Sequence, residues 1–177
     1  MKFYSGFSLK NEACFFDDYL DTSLYCVSGF SYGALKALEY TKEQVRNGKR
    51  IDRLQLFSPV FFQTKQEKFK RIQELSYKKS KDKYLEQFLV GCFAPYVPQK
   101  VEQVTTSSEE LHELLNYEWA TADLVALKNK GIAIEVYLGG GDKIIDVSGA
   151  QDFFLEIATV TYIKNANHFL QLEEGIK

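Results

Sequence analysis

Histidine is nearly missing from this 177-residue chain, with His112 and His168 the only two, and proline and cysteine occur three times each. The odd, widely spaced Cys14, Cys26 and Cys92 form no Cys-x-x-Cys pair, so they suggest neither a zinc site nor a disulfide framework. Free thiols fit a reducing, cytoplasmic setting. No apolar run approaches the roughly 18 residues of a membrane span, and the apolar piece after Met1-Lys2 is too brief for a signal peptide. An excess of one charge is missing too. Lys and Arg number 22 against 24 Asp and Glu, a net charge of −2, which points away from nucleic acid or an anionic membrane as a partner of the whole surface. Repeats and low-complexity tracts are absent, and Gln99–Glu110 is the nearest thing to a mobile linker. What the chain has in plenty is rings, 14 Phe and 11 Tyr, among otherwise ordinary globular proportions. Its length suits one well-cored domain with room for an insertion.

The most informative stretch is Leu24–Tyr40. A short apolar run leads into Gly29-Phe30-Ser31-Tyr32-Gly33 and then into an alanine- and leucine-rich helical pattern. Strand, tight turn and helix in that order give Gly-x-Ser-x-Gly a mechanical reading, with Ser31 lifted on a sharp turn above a sheet. The competing reading is a glycine-rich turn whose serine caps the helix.

Around it, a strand over Lys2–Ser5 runs into the turn Ser5-Gly6-Phe7-Ser8, and the spacing of Ala13, Phe16, Tyr19 and Leu20 predicts a helix over Asn11–Leu20. Ile51–Phe57 alternates and stops at Ser58-Pro59, as a strand does. Helical patterns follow over Gln66–Tyr77, Lys81–Cys92 and Ser107–Tyr117, broken by Pro95 and Pro98 and without a convincing strand, so residues 61–117 read as a helical insertion between core segments 1–60 and 118–177. A helix over Asp123–Lys130, a strand over Ile132–Leu138, a helix over Ser148–Ile157 and a strand over Thr159–Ile163 complete the pattern. Strands alternating with helices predict an α/β fold on a parallel sheet.

Ser31, Asp142 and His168 each fall just past the carboxyl end of a predicted strand, the edge where open α/β sheets bind ligands. Asp146 competes with Asp142 for the role of acid, and His168 has the alternative of an ordinary histidine near the C-terminus. His112 lies in the acidic stretch Ser107–Glu113 and reads as a surface residue, which leaves His168 as the base by elimination.

The order nucleophile, acid, histidine and these motifs make the chain resemble the α/β-hydrolases. Within them it is most similar to the short pimeloyl-[acyl-carrier protein] methyl ester esterases of biotin biosynthesis. The similarity rests on Phe3-Tyr4-Ser5-Gly6-Phe7, Val27–Ala34, Leu56-Phe57-Ser58-Pro59, Ile134–Tyr137 with Asp142-Lys143-Ile144, and Asn167-His168. It implies a reduced α/β-hydrolase fold without the usual leading antiparallel hairpin, a mostly parallel central sheet flanked by helices and a helical lid. It also implies Ser31 as nucleophile, His168 as base, Asp142 as the group orienting the imidazole, and the backbone N–H groups of Phe7 and Tyr32 as the oxyanion hole. Ser5 stands where the superfamily usually has histidine. No metal or cofactor is required by this chemistry.

Lys65, Lys68, Lys70, Arg71, Lys78, Lys79, Lys81 and Lys83 crowd the first part of the insertion. On charge alone they read as a solvated face; the resemblance implies a docking surface for an acidic acyl carrier protein bearing the methyl-pimeloyl group. Phe61, Phe62, Phe69, Tyr84, Phe88, Phe93, Tyr96 and Trp119 supply rings either for packing of the lid onto the core or for an acyl channel. The strand at Met1–Phe3 is a candidate exposed edge, consistent with a monomer or a weak dimer.

Overall fold

In the computed structural model, which describes residues 1–173, the chain runs β1 (Lys2–Tyr4), β2 (Leu9–Lys10), a 3-10 turn (Glu12–Phe16), β3 (Cys26–Phe30), α1 (Tyr32–Arg46), β4 (Arg53–Phe57), α2 (Glu67–Lys79), α3 (Lys81–Phe93), β5 (Glu102–Gln103), α4 (Ser108–Asn116), α5 (Thr121–Lys128), β6 (Ala133–Gly139), α6 (Val147–Leu155) and β7 (Thr159–Ile163). Five strands form one parallel sheet in the order β1-β3-β4-β6-β7. The register aligns Tyr4 with Gly29, Phe30 with Phe57, Phe57 with Tyr137 and Gly139 with Ile163, so the loops after β1, β3, β6 and β7 emerge along one edge.

Alternation along the strands gives the sheet two unlike faces. Val27, Leu54, Leu56, Ile134, Val136, Leu138 and Val160 belong to the larger apolar cluster, which α1, α5 and α6 close over. On the other face Phe30 and Phe57 meet Phe16, Phe93 and Phe169 near the carboxyl edge. Further from that edge the same face is polar: the Gln55 amide donates to the Tyr19 carbonyl and to Glu135, and Arg53 pairs with Glu135 and Asp21. These groups satisfy one another, which is what allows Gln55 to lie 1% exposed.

Two sequence expectations change. Residues 11–20 are not an α-helix: Asn11 enters with φ at 62°, Glu12 turns inward, and only the 3-10 turn forms. The stretch 99–110 is anchored. β5 pairs antiparallel with β2, the Val104 N–H donates to the Ser8 carbonyl, buried Thr106 bonds Tyr77, and Ser107 caps α4 in a reciprocal box with Glu110. The helical segment is thus tied directly to the loop after β1. Trp119, whose indole N–H donates to the Val60 carbonyl, joins the two ends of that segment. Among the described residues no helix is long and apolar enough to cross a membrane.

Candidate active site

Ser31 follows β3 with φ 53° and ψ −117°, a conformation that non-glycine residues adopt only under constraint, at a cost of about 1–3 kcal/mol. The constraint comes from close backbone packing. A Cβ on Gly33 would lie 2.0 Å from the Tyr4 carbonyl oxygen, so only glycine lets α1 start directly against β1. The Ser31 N–H donates to the Phe57 carbonyl at 2.9 Å, which fixes the turn to the next strand. No side-chain cap bond is made by Ser31 to α1, so its hydroxyl is free for other use.

That hydroxyl lies 2.9 Å from His168 Nε2, and His168 Nδ1 lies 2.6 Å from Asp142 Oδ2. The His168 and Asp142 side chains are fully buried. Asp142 is itself held, with Oδ1 accepting the Ile144 N–H at 2.7 Å and the Ile145 N–H at 3.3 Å. A carboxylate so oriented keeps the imidazole in one tautomer, with Nε2 free to accept the serine proton. The rival Asp146 is elsewhere employed. It accepts the Thr64 hydroxyl and caps α6 through the Gly149 N–H, and the Thr64 bond holds its carboxyl below the usual range. His112 stands on the surface of α4 against Glu74 and Asn116.

The loops bearing Asp142 and His168 lean on each other. A Cβ on Gly139 would fall 2.3 Å from the Asn167 carbonyl oxygen, and the Gly141 N–H donates to the Ala166 carbonyl at 2.8 Å. Asn167, which sequence reasoning noted only as a neighbour, ties the histidine loop together. Its amide donates to the Phe93 carbonyl at 2.9 Å, and its Oδ1 accepts the N–H groups of Phe169 and Gln171, each at 3.0 Å. A polar side chain just before the lone candidate base was the available signal. The Phe30 ring packs on the imidazole with centroids 4.9 Å apart.

Two backbone donors bear on the expected oxyanion hole. The Tyr32 N–H belongs to the first turn of α1, where an α-helix leaves donors without intrahelical partners. The Phe7 N–H has no acceptor among the described residues. The Tyr32 phenol donates to Glu113 of α4, and burial, then that carboxylate, pushes the phenol well above its usual pKa. Sequence reasoning missed this tie between the serine turn and the helical segment. Cys26 and Cys92 are buried, and burial raises both thiols, so neither supplies a ready thiolate. No group of three or more His, Cys, Asp or Glu among the described residues is arranged to hold a metal ion.

Beside the site, a cavity of about 470 Å³ opens between α2, α3, α4 and the loop after β6. Phe7 and Ile144 border it on the site's side; Phe62, Phe69, Tyr84 and Phe88 line it, with Lys65 and Lys143 among its polar groups. The eight rings singled out from the sequence therefore divide. Phe61, Phe93 and Trp119 are packed in the core, and the Tyr96 hydroxyl donates to the Asn165 carbonyl away from the cavity. The cations divide as well. Lys68, Arg71, Lys78 and Lys79 are exposed, whereas Lys70 turns inward, 7% exposed, and pairs with Glu67 at 3.0 Å. Lys81 donates to the Thr106 carbonyl.

No family model and no curated protein matches the sequence. Solved structures do. The naproxen esterase (carboxylesterase NP) of Bacillus subtilis superposes with a TM-score of 0.55 at 17% identity over 84% of this chain and 55% of that one. The esterase EaEST of Exiguobacterium antarcticum gives 0.60 at 16% identity over 80% of this chain and 58% of that one. An E-2-(acetamidomethylene)succinate hydrolase gives 0.55 at 10% identity over 95% and 84%. The chain spans little more than half the length of the two esterases. At such identities the likeness establishes the fold: a parallel sheet flanked by helices, of the α/β-hydrolase type.

Proposed function

We propose that this chain, an α/β-hydrolase by its fold, is a serine carboxylesterase. The observation that carries the reading is the unbroken chain of contacts Ser31 Oγ, His168 Nε2, His168 Nδ1, Asp142 Oδ2 at the carboxyl edge of the sheet. In this reading Ser31 Oγ attacks an ester carbonyl while its proton passes to His168 Nε2. The carbonyl oxygen takes negative charge between the Phe7 and Tyr32 N–H groups, and Asp142 stabilises the imidazolium. Collapse breaks the bond to the alkoxy group, which leaves as alcohol with the proton from His168. Water, deprotonated by the same histidine, then attacks the acyl-serine, and the carboxylic acid departs as Ser31 regains its proton.

For the substrate, we take the methyl ester of a pimeloyl chain carried on acyl carrier protein in biotin biosynthesis. Three features support it: the sequence resemblance, the apolar cavity beside the site, and the outer face of α2. There Lys68, Arg71, Ile72, Leu75, Lys78 and Lys79 share one helical stripe, all exposed, with Ile72 and Leu75 48% and 56% exposed between the cations. An acidic partner with an apolar contact of its own complements that stripe by charge. Purified protein incubated with methyl-pimeloyl acyl carrier protein and, separately, with p-nitrophenyl butyrate tests both levels. Cleavage of both supports the full reading. Cleavage of the small ester alone keeps the esterase and removes the carrier-bound substrate, and cleavage of neither removes both.

A further inference from the structure

The 3-10 turn that replaces the expected helix delivers Glu12 into the interior beneath the loop after β1. Glu12 is 1% exposed, and its Oε1 accepts the Gly6 N–H at 2.6 Å. Its other oxygen has no partner among the described residues. A carboxyl buried in this way, with one of its two oxygens left without a hydrogen bond, is an expensive means of packing; an apolar side chain of the same size would fill the space at less cost. What the carboxyl adds is an acceptor at one place, the peptide that immediately precedes the Phe7 N–H.

We infer that Glu12 is a positioning residue for the oxyanion hole, fixing the Ser5–Gly6 peptide so that the following N–H, that of Phe7, stays turned towards the reacting carbonyl. The loop has three other bonds: the Leu9 N–H on the Gly6 carbonyl at 3.1 Å, which holds the far side of the Gly6–Phe7 peptide, and, further along, the Val104 N–H on the Ser8 carbonyl at 3.0 Å with the Ser8 hydroxyl donating back to the Val104 carbonyl at 3.1 Å. None fixes the amide side of Gly6, through which the chain enters that peptide. Burial pushes the Glu12 carboxyl above the usual range, while the Gly6 N–H first, then its own N–H and the Ser5 hydroxyl, oppose that shift. A glutamine amide at this place offers Gly6 the same kind of carbonyl acceptor. Since Oε2 touches no partner, the amide nitrogen displaces none.

The inference rests on the esterase reading of Ser31, and its test separates the two. Glu12→Gln keeps the acceptor, and Glu12→Met removes it at similar volume, which limits damage to packing. On p-nitrophenyl butyrate, Glu12→Met is expected to lower kcat about tenfold or more with KM nearly unchanged, since oxyanion donors act on the transition state. Glu12→Gln should restore kcat to within about threefold of wild type. Amide hydrogen exchange at Gly6 should accelerate in Glu12→Met and stay slow in Glu12→Gln. Wild-type kcat in Glu12→Met, or equal losses in both variants, overturns the inference. If the wild type takes neither ester nor fluorophosphonate, the esterase reading falls first, and exchange at Gly6 alone then decides whether Glu12 holds the loop.

Discussion

The loops at the carboxyl edge of the sheet and the outer face of α2 hold the residues on which the proposed function rests, and they are built in opposite ways. At the edge, Ser31 is 2% exposed, His168 is fully buried, and each reactive group is bonded to a neighbour that is itself bonded. On α2, Lys68, Arg71, Lys78 and Lys79 project into solvent, and no ion pair among the described residues engages them. Chemistry at a carbonyl needs sub-ångström placement before substrate arrives, and burial with satisfied hydrogen bonds supplies it. Attraction of a partner needs long-range charge and freedom to adapt, which exposure preserves. Substitutions at the edge should therefore change kcat or the fold, and substitutions on α2 should change KM alone.

The largest effect is expected from His168→Ala, which leaves Ser31 without a base and should lower kcat for any ester by about 10⁴ or more. Steady-state kinetics with p-nitrophenyl butyrate measures it, and a loss under tenfold would break the comparison at its strongest point. Gly33→Ala should act on the fold, because its Cβ would sit 2.0 Å from the Tyr4 carbonyl oxygen and 2.5 Å from that of Ser5. With backbone on both sides, relief requires α1 to shift from β1, and a loss of about 3 kcal/mol or more in urea unfolding is expected.

Reversing charge on α2 with Lys68→Glu and Arg71→Glu together should raise KM for the carrier-bound substrate about tenfold at low salt, with p-nitrophenyl butyrate turnover unchanged. Equal losses on the two substrates would make α2 a structural helix and erase the distinction. The same pair of changes at high salt should show a smaller gap, since exposed charges are screened.

The smallest expected effect sharpens the contrast between Asp142 and Asp146. The Thr64 hydroxyl holds the Asp146 carboxyl below its unfolded value of 3.8, so the bond stabilises the fold above that value and is lost as pH falls through the lower folded one. Asp146→Asn keeps the α6 cap, and because the group is largely solvated the difference from wild type should reach only about 0.5 kcal/mol at neutral pH. Unfolding across pH should show that difference fading in acid, with kcat untouched throughout.

Much of the edge was legible in the sequence because its signals are local. Glycines around Ser31, the glycine run ahead of Asp142 and the turn holding His168 each follow a strand whose pattern is strong, and β6 and β7 lie within one residue of their expected limits. The parts that were not legible depend on distant partners. β2 and β5 are two residues each and pair across some ninety residues of sequence, so neither carries a strand pattern of its own. Glu12 reads as one more polar residue in a helix until the turn buries it under Gly6. Lys70 counts among the cations of a basic helix, yet its place on α2 buries its stem, and its ammonium pairs with the exposed Glu67.

The central claim is that Ser31 is a nucleophile made reactive by His168 and Asp142. Intact-mass measurement after treatment with an alkyl fluorophosphonate tests it without choosing a substrate. One phosphonyl adduct is expected on the wild type, mapped to the peptide containing Ser31, and none on Ser31→Ala. A wild type that stays unmodified, or a folded Ser31→Ala that is labelled as fast, would contradict it.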